Sequence, residues 1–198
     1  LADKAKSSDL DAERIDPRTA LTELAKAMPS RAMVSTDIGN VCSVSNSYLH
    51  FEEPKSFLAA MSWGNCGYAM PAAMGAKVGQ PDRPAIAYVG DGAWGMSLTE
   101  MMTCVREKIP VVAVVFENQQ WGAEQRNQLD FFDGRCIATD LDNPSFAEIA
   151  RAMGASGISV GHADQVGDAL RAAVASNMPT VLELHLTRDL SEPFRRDA

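Results

Sequence analysis

Short apolar runs alternate with segments of helical apolar spacing along the chain. The apolar runs lie at 32–37, 56–61, 84–90, 111–118, 157–161 and 180–186. The run "VVAVVFEN" at 111–118 is typical of a central parallel strand, because it is almost continuously apolar and rich in β-branched residues. Strands and helices therefore alternate about six times. This pattern predicts an α/β fold: a doubly wound, mostly parallel sheet of about six strands with helices on both faces.

Capping signals predict where several helices begin. Asp16 followed by Pro17 is typical of a helix start, with a carboxylate N-cap and proline at the first helical position. Ser97 and Glu100 match the S-x-x-E capping box and predict another helix start. Further helices are predicted over 62–79, 145–153 and 163–176.

One domain is predicted over 16–186, preceded by a polar lead-in at 1–15 and followed by a tail at 187–198. The segment 119–143 has no clear periodicity and is longer than an ordinary connection, so a functional loop or a disordered stretch is expected there. Because the chain begins with Leu1 rather than Met, we expect it to be a processed or truncated piece of a longer protein.

Charge and cysteine usage exclude several classes of protein. A net charge of -8 argues against a nucleic-acid or anionic-membrane surface. No apolar run approaches the roughly 20 residues of a membrane span, and the first residues lack an apolar signal core. The cysteines and histidines are scattered, which favours reduced thiols over disulfides or a zinc site. A cytoplasmic protein without nucleic-acid or membrane partners is expected.

The segment "GDGAWG" at 90–95 follows a predicted strand and has the G-x-G-x-x-G spacing of a dinucleotide-binding turn. Three interpretations are open. In the first, a nicotinamide or flavin site, Glu117 would bind the ribose. Asp91 would then face the pyrophosphate with no positive charge to offset the repulsion. A tight turn would explain Asp and Gly by conformation alone. In the third interpretation a divalent cation lies between Asp91 and a diphosphate.

A cation resolves the charge conflict, because Mg²⁺ is often held by one carboxylate and phosphate oxygens. A second oxygen ligand is then expected at the end of the neighbouring strand, where Asn118 lies 27 positions after Asp91. Adjacent parallel strands would bring these side chains together, with the carbonyl of Gln120 just beyond. The predicted metal ligands are Asp91, Asn118 and Gln120.

The sequence has "GDG" at 90–92, then 25 residues that end in a hydrophobic strand, and then Asn118. This pattern is similar to the cofactor motif of thiamine diphosphate enzymes. That motif ordinarily ends in Asn-Asn, whereas Glu117 stands in the first position here. "TDIGN" at 36–40 resembles the loop that contacts the diphosphate, and "WGNCGYAMPAAMGA" at 63–76 resembles the segment that holds the aminopyrimidine ring. The resemblance implies a domain that binds thiamine diphosphate and Mg²⁺, the C-terminal one of three.

The resemblance also implies residue roles. The carbonyl of Gly64 would accept a hydrogen bond from the 4'-amino group, and Cys66 would lie under the cofactor, where many relatives carry Met, Leu or Ile. No catalytic residue is expected in this chain, because the activating glutamate belongs to a pyrimidine-binding domain, so the chain alone should be catalytically incomplete. The implied cofactor-binding residues are Gly39, Asn40, Gly64, Asn65, Cys66, Gly90, Asp91, Gly92, Ala93, Asn118, Gln120, Trp121 and Gly122.

Several segments between 55 and 175, among them "FENQQWGAEQRNQLDFF", resemble the sulfoacetaldehyde acetyltransferases more than the acetolactate synthases. The resemblance implies conversion of sulfoacetaldehyde and phosphate into acetyl phosphate and sulfite. Alternatives are an acetolactate synthase, a 2-oxo-acid decarboxylase-like enzyme, or a non-catalytic subunit that holds the cofactor. Trp121 and Arg126, with Arg135, are the substrate-binding candidates, since an arginine fork suits a sulfonate.

The expected partners are a small-molecule substrate, the pyrimidine-binding domain of the same enzyme and further copies of the protein. In the family, active sites lie between domains of two subunits, which implies a homodimer or homotetramer when the protein is complete. The apolar, small-residue segment around 64–78 is the predicted contact.

Overall fold

The computed structural model describes residues 14–188 of the chain. Within them, strands and helices alternate nearly throughout. The strands are β1 (Met33–Thr36), β2 (Phe57–Ala59), β3 (Ala85–Gly90), β4 (Val111–Glu117), β5 (Ser156–Val160) and β6 (Thr180–His185). The helices are α1 (Pro17–Ala27), α2 (Asn40–Ser45), α3 (Ala69–Gly79), α4 (Asp91–Ser97), α5 (Glu100–Glu107), α6 (Gly122–Phe131), α7 (Phe146–Ala152) and α8 (Ala163–Ala175).

All six strands form one parallel sheet in the order β2-β1-β3-β4-β6-β5. The predicted α/β class and the six predicted strands are thereby confirmed. β1 and β3 are neighbours, but the chain leaves β1 towards one edge of the sheet and β3 towards the other. In open α/β sheets, ligands bind beyond the carboxyl ends of the strands at such a switch point.

The sheet has a separate apolar core on each face, because alternate strand residues point to opposite sides. Ile86 and Tyr88 of β3 lie in the core formed with α1 and α8. Ala87 and Val89 lie in the other core, with residues from α3, α4, α5 and α7. Every residue of β4 is buried, as expected for a central strand covered on both faces.

The start of α1 is as predicted: Asp16 Oδ1 accepts a hydrogen bond from the Thr19 amide at 2.8 Å. The predicted helix over 62–79 is wrong in its first part, because α3 begins at Ala69. Gly64 and Gly67 have φ angles of 72° and 80°, which a right-handed helix cannot contain. Asp37 Oδ1 accepts from the Tyr68 amide at 2.7 Å and so fixes the later start.

The predicted capping box of Ser97 and Glu100 does not form. A helix already begins at Asp91, directly after β3, and Ser97 is its last residue. The Ser97 hydroxyl is buried with no hydrogen-bond partner among the described residues. Helix α5 begins at Glu100, and its N-cap, Thr99, makes no side-chain capping bond.

The segment 119–143 contains the helix α6, where an irregular loop was expected. None of the residues of α6 is buried, so no apolar stripe could reveal it in the sequence. Its end and the chain just beyond it expose Phe131 and Ile137 to 76% each. The apolar surface of this segment therefore faces outward from the domain.

Two residues of the predicted lead-in, Arg14 and Ile15, contact the predicted domain. Ile15 is 3% exposed, belongs to the core and pairs with Leu186, while Arg14 forms an ion pair with Glu117 at 3.0 Å. Most of the predicted lead-in and tail lies outside the described residues. Within 14–188, none of the helices combines the length and the apolar character that a membrane-spanning helix needs.

Candidate cofactor site

A cavity of about 310 Å³ opens at the carboxyl ends of β1, β3 and β4. It lies at the switch point of the sheet, where the chain turns after each of these strands. All of the predicted cofactor-binding residues except Asn65 line it. The exposed Asn65 side chain instead donates to the carbonyl of Cys66 at 3.3 Å.

Asp91 is the first residue after β3, and its side chain is held from several directions. Its Oδ2 accepts from the backbone amides of Gln119 at 2.7 Å and Asn118 at 3.2 Å, and from Asn143 Nδ2 at 2.8 Å. Its Oδ1 accepts from the Gly92 amide at 2.9 Å. The turns after β3 and β4 are therefore joined directly by this carboxyl group, as the parallel pairing of the two strands requires.

Burial, with a smaller effect from the charge of Glu117, raises the pKa of Asp91 to about 6, although the backbone amides that donate to this carboxyl group lower it. The ionised carboxylate is thus disfavoured in the folded protein as it stands. A cation bound at Oδ1 would remove this penalty, since a neighbouring positive charge stabilises the ionised form.

The donor set at this point suits a hard, oxygen-binding cation. Asn118 is 8% exposed, and its side-chain amide has no hydrogen-bond partner within residues 14–188, although it lines the same cavity as Asp91. The Gln120 side chain is turned away, with Nε2 donating to the carbonyl of Arg188 at 3.0 Å. No group of three or more His, Cys, Asp or Glu residues suited to a metal exists in the described part of the chain.

Among residues 14–188, the side chains that line the cavity include negative but no positive ones. Among its lining residues the charged ones are Asp91 and Glu124, both acidic. A phosphate-bearing ligand would meet repulsion there unless a cation came with it. The residues present therefore fit a metal-bound diphosphate better than a metal-free one.

The helix at this turn, α4, begins at Asp91, directly after β3. The Gly92 amide, one of its first-turn donors, is occupied by Asp91 Oδ1. This amide is therefore not free to contact a bound anion.

Cys66 also lines the cavity and lies in the segment before α3. Burial raises the pKa of its thiol, as do the charges of Asp37 and Glu124. The thiol therefore stays protonated and acts as a small apolar surface rather than as a nucleophile. Asp37 itself is fully buried, and burial raises its pKa.

Glu117, in the position where the motif ordinarily has Asn, is not among the residues that line the cavity. Its Oε2 binds Arg14 and His185 Nδ1, each at 3.0 Å, and the side chain is 3% exposed. Burial would raise its pKa, but His185 and Arg14 together lower it. This carboxylate thus has a structural role, as the partner of Arg14 and His185 in ion pairs.

The substrate candidates divide into two groups. Trp121 lines the cavity and its ring lies against Gly92. Arg126 is on the exposed side of α6, paired with Asp130 at 2.7 Å, and is absent from the cavity lining. Arg135 is 76% exposed beside Asp133. The structure therefore brings only Trp121 of the three to the cavity.

Sequence reasoning missed Asn143, which touches Asp91 from a different segment. The dipeptide Asn143-Pro144 indicates only a turn before a helix. Nothing in the sequence places that turn across from the end of β3, since the contact depends on how the 119–143 segment folds back. Sequence reasoning also did not predict that α2 contributes apolar residues to the cavity lining, including Val41 and Val44.

Comparisons of the sequence and of the structure with known proteins all identify thiamine diphosphate enzymes as relatives. The profile described as "Thiamine pyrophosphate enzyme, C-terminal TPP binding domain" matches residues 37–184. Over 188 residues the chain is 60% identical to a sulfoacetaldehyde acetyltransferase of Castellaniella defragrans, covering 93% of this chain and 31% of that protein. It is 31% identical over 167 residues to the acetolactate synthase isozyme 2 large subunit of Escherichia coli (strain K12), covering 84% and 30% of the two chains.

Among solved structures, a thiamine diphosphate-dependent 4-hydroxybenzoylformate decarboxylase of Rhodococcus jostii RHA1 aligns with a TM-score of 0.81. Its sequence is 26% identical, and the alignment covers 90% of this chain and 34% of that one. The chain spans about a third of the length of each of these relatives.

Proposed function

The chain belongs to the C-terminal TPP binding domain family of thiamine pyrophosphate enzymes, and we propose that it binds thiamine diphosphate (thiamine pyrophosphate) through Mg²⁺. The proposed metal ligands are Asp91 Oδ1, the side-chain oxygen of Asn118 and the backbone carbonyl of Gln120. The observation that carries this proposal is the cavity itself, whose lining in the described part of the chain includes Asp91 and Asn118 and no positively charged residue. Mg²⁺ accepts carboxylate, amide and phosphate oxygens together.

When bound, thiamine diphosphate supplies a nucleophilic carbon for chemistry at carbonyl groups. The residues of this chain bind and orient it. Asp91 and Asn118 fix the metal end, while Trp121 and Cys66 provide apolar walls that exclude water. The Gly64 carbonyl and the remaining predicted residues on the lining complete the proposed contact surface.

For the complete enzyme we propose sulfoacetaldehyde acetyltransferase activity, with sulfoacetaldehyde and phosphate converted into acetyl phosphate and sulfite. The support is the 60% identity with proteins of that name, against 31% with an acetolactate synthase. Because the chain spans only about a third of these relatives, a pyrimidine-binding domain must supply the activating glutamate in this proposal.

We further propose that the complete protein is a homodimer or homotetramer and acts in the cytoplasm. Large apolar side chains beside the cavity wall support an additional partner surface: Trp63 is 86% exposed and Met61 is 67% exposed. At the far end of the predicted contact, Val78 is 66% exposed. Monomeric domains rarely expose such groups together.

Trp121 is the preferred substrate-side residue of this chain, because it lines the cavity. A role for Arg126 in sulfonate binding remains a prediction that requires the ion pair with Asp130 to open. Arg126→Ala in the complete enzyme tests it: a raised KM for sulfoacetaldehyde supports the role, and an unchanged KM removes this residue from the site.

The experiment that tests the proposed activity combines this chain with a separately produced pyrimidine-binding domain of a sulfoacetaldehyde acetyltransferase. Acetyl phosphate and sulfite should appear with sulfoacetaldehyde, phosphate, thiamine diphosphate and Mg²⁺, and not with the chain alone. Acetolactate formed from pyruvate would identify the acetolactate synthase alternative. Cofactor binding with neither product would favour the non-catalytic subunit.

A further inference from the structure

The side chain of Asn143 reaches Asp91 from outside the two strand ends that form the metal site. Asn143 lies in the segment before α7, and its Nδ2 donates to Asp91 Oδ2 at 2.8 Å. The other donors to Oδ2 are the backbone amides of Gln119 and Asn118, which are consecutive residues of one turn. Asn143 is therefore the only side chain among the described residues that holds this carboxyl group.

The two oxygens of Asp91 are satisfied unequally. Oδ2 has three N–H donors, whereas a carboxylate oxygen offers about two lone-pair sites. Within residues 14–188, the Gly92 amide is the one donor to Oδ1, so this oxygen keeps a lone pair. The contacts thus determine which oxygen is free to face the cavity.

We infer that Asn143 is a positioning residue for the metal: it holds Asp91 so that Oδ1 is presented as the ligand. This inference rests on the proposed function of the site. Without the Asn143 amide, only backbone amides hold the carboxyl group: those of Gln119 and Asn118 at Oδ2 and that of Gly92 at Oδ1. Hydrogen-bond partners of metal ligands typically contribute a factor of about 10–100 to metal affinity.

The test is Asn143→Leu, which nearly keeps the shape of the side chain and removes the donor. The Mg²⁺ concentration for half-maximal binding of thiamine diphosphate is measured by calorimetry in this chain. We expect about a tenfold increase. Asn143→Ala serves as a second variant and should give the same direction.

Gln128→Leu is the control, because it removes a side-chain amide away from the cavity that donates to the Ile137 carbonyl at 3.2 Å and accepts from the Ile137 amide at 2.7 Å. Urea unfolding in EDTA distinguishes a positioning role from a loss of folding. If Asn143 is a positioning residue, the variants require more Mg²⁺ even though their urea midpoints equal that of the parent. An unchanged Mg²⁺ requirement in folded Asn143→Leu and Asn143→Ala overturns the inference alone. A parent chain that binds thiamine diphosphate equally well in EDTA overturns the proposed function as well.

Discussion

The indole ring of Trp121 lies directly over Gly92, where a β-carbon at position 92 would come within 2.7 Å of the ring. The two residues follow different strands, β4 and β3, so their contact closes one wall of the cavity. The last glycine of "GDG" is therefore required by the tryptophan ring and not by its backbone conformation, since Gly92 lies within α4. This pair links the motif to the segment "WGAEQRNQ" that follows it.

Gly92→Ala should displace the Trp121 ring and impair thiamine diphosphate binding. Overpacking of this kind costs about 1–3 kcal/mol of unfolding free energy. Urea unfolding measures that loss, and a calorimetric titration with Mg²⁺ present measures the binding.

Gly95→Ala is the matched control in the same helix, because a β-carbon there meets nothing within 4 Å. It should be neutral or stabilise the helix by about 0.5–1 kcal/mol. Equal behaviour of the two variants would show that the Trp121 contact does not constrain position 92.

Asp91→Asn should stabilise the metal-free chain at pH 7.5 and abolish its Mg²⁺-dependent cofactor binding. The pKa of Asp91 is raised to about 6, so its ionisation opposes folding as the pH rises from about 4 to above 6. Removing the charge should raise the unfolding free energy by about 1–3 kcal/mol. The gain is at the lower end of this range if the new Asn NH₂ group faces the Gly92 N–H, because two donors then oppose each other. Unfolding in EDTA at pH 4 and pH 7.5 is the measurement. A variant no more stable than the parent at pH 7.5 contradicts the prediction.

The ion pair of Glu117 and His185 should make the unfolding free energy fall at both acidic and alkaline pH, with a maximum between them. Glu117 has a lowered pKa, so its contribution is present above 4.5 and lost as the pH falls through the folded value. His185 has a pKa raised from 6.5 by its hydrogen bond with Glu117, so its contribution is complete below 6.5 and lost as the pH rises through the folded value.

Unfolding free energies of the parent and His185→Gln at pH 5.5 and pH 8.5 test this. The parent should lose on the order of 0.5 kcal/mol more than the variant over that interval, since His185 is partly exposed. His162→Gln is the control, because His162 makes no side-chain capping bond at the start of α8. A slope unchanged by His185→Gln would rule out the ion pair as its source.

The sheet was predictable because its strands are marked by apolar runs that need no long-range information. Asp91 and Asn118 could be paired in advance for the same reason, since the ends of adjacent parallel strands meet. Helix α6 could not be predicted, because it buries no residue within this chain and so has no apolar stripe. The capping box failed because Ser97 already belonged to a helix that begins at Asp91.

Asn143 illustrates a different limit. Its contact with Asp91 joins residues 52 positions apart through a segment with no periodic pattern. Arg126 illustrates the converse, because the residue type suited a sulfonate while the helix places it beside Asp130 instead. Residue chemistry selects candidates, but the path of irregular segments decides which of them reach the cavity.

The most direct measurement is a calorimetric titration of thiamine diphosphate into this chain, once with Mg²⁺ and once with EDTA, with NAD as a third ligand. Binding should occur with Mg²⁺, be lost in EDTA, and be absent for NAD in either buffer. Equal affinity for thiamine diphosphate in EDTA, or metal-free binding of NAD, would contradict a cation held between Asp91, Asn118 and a diphosphate.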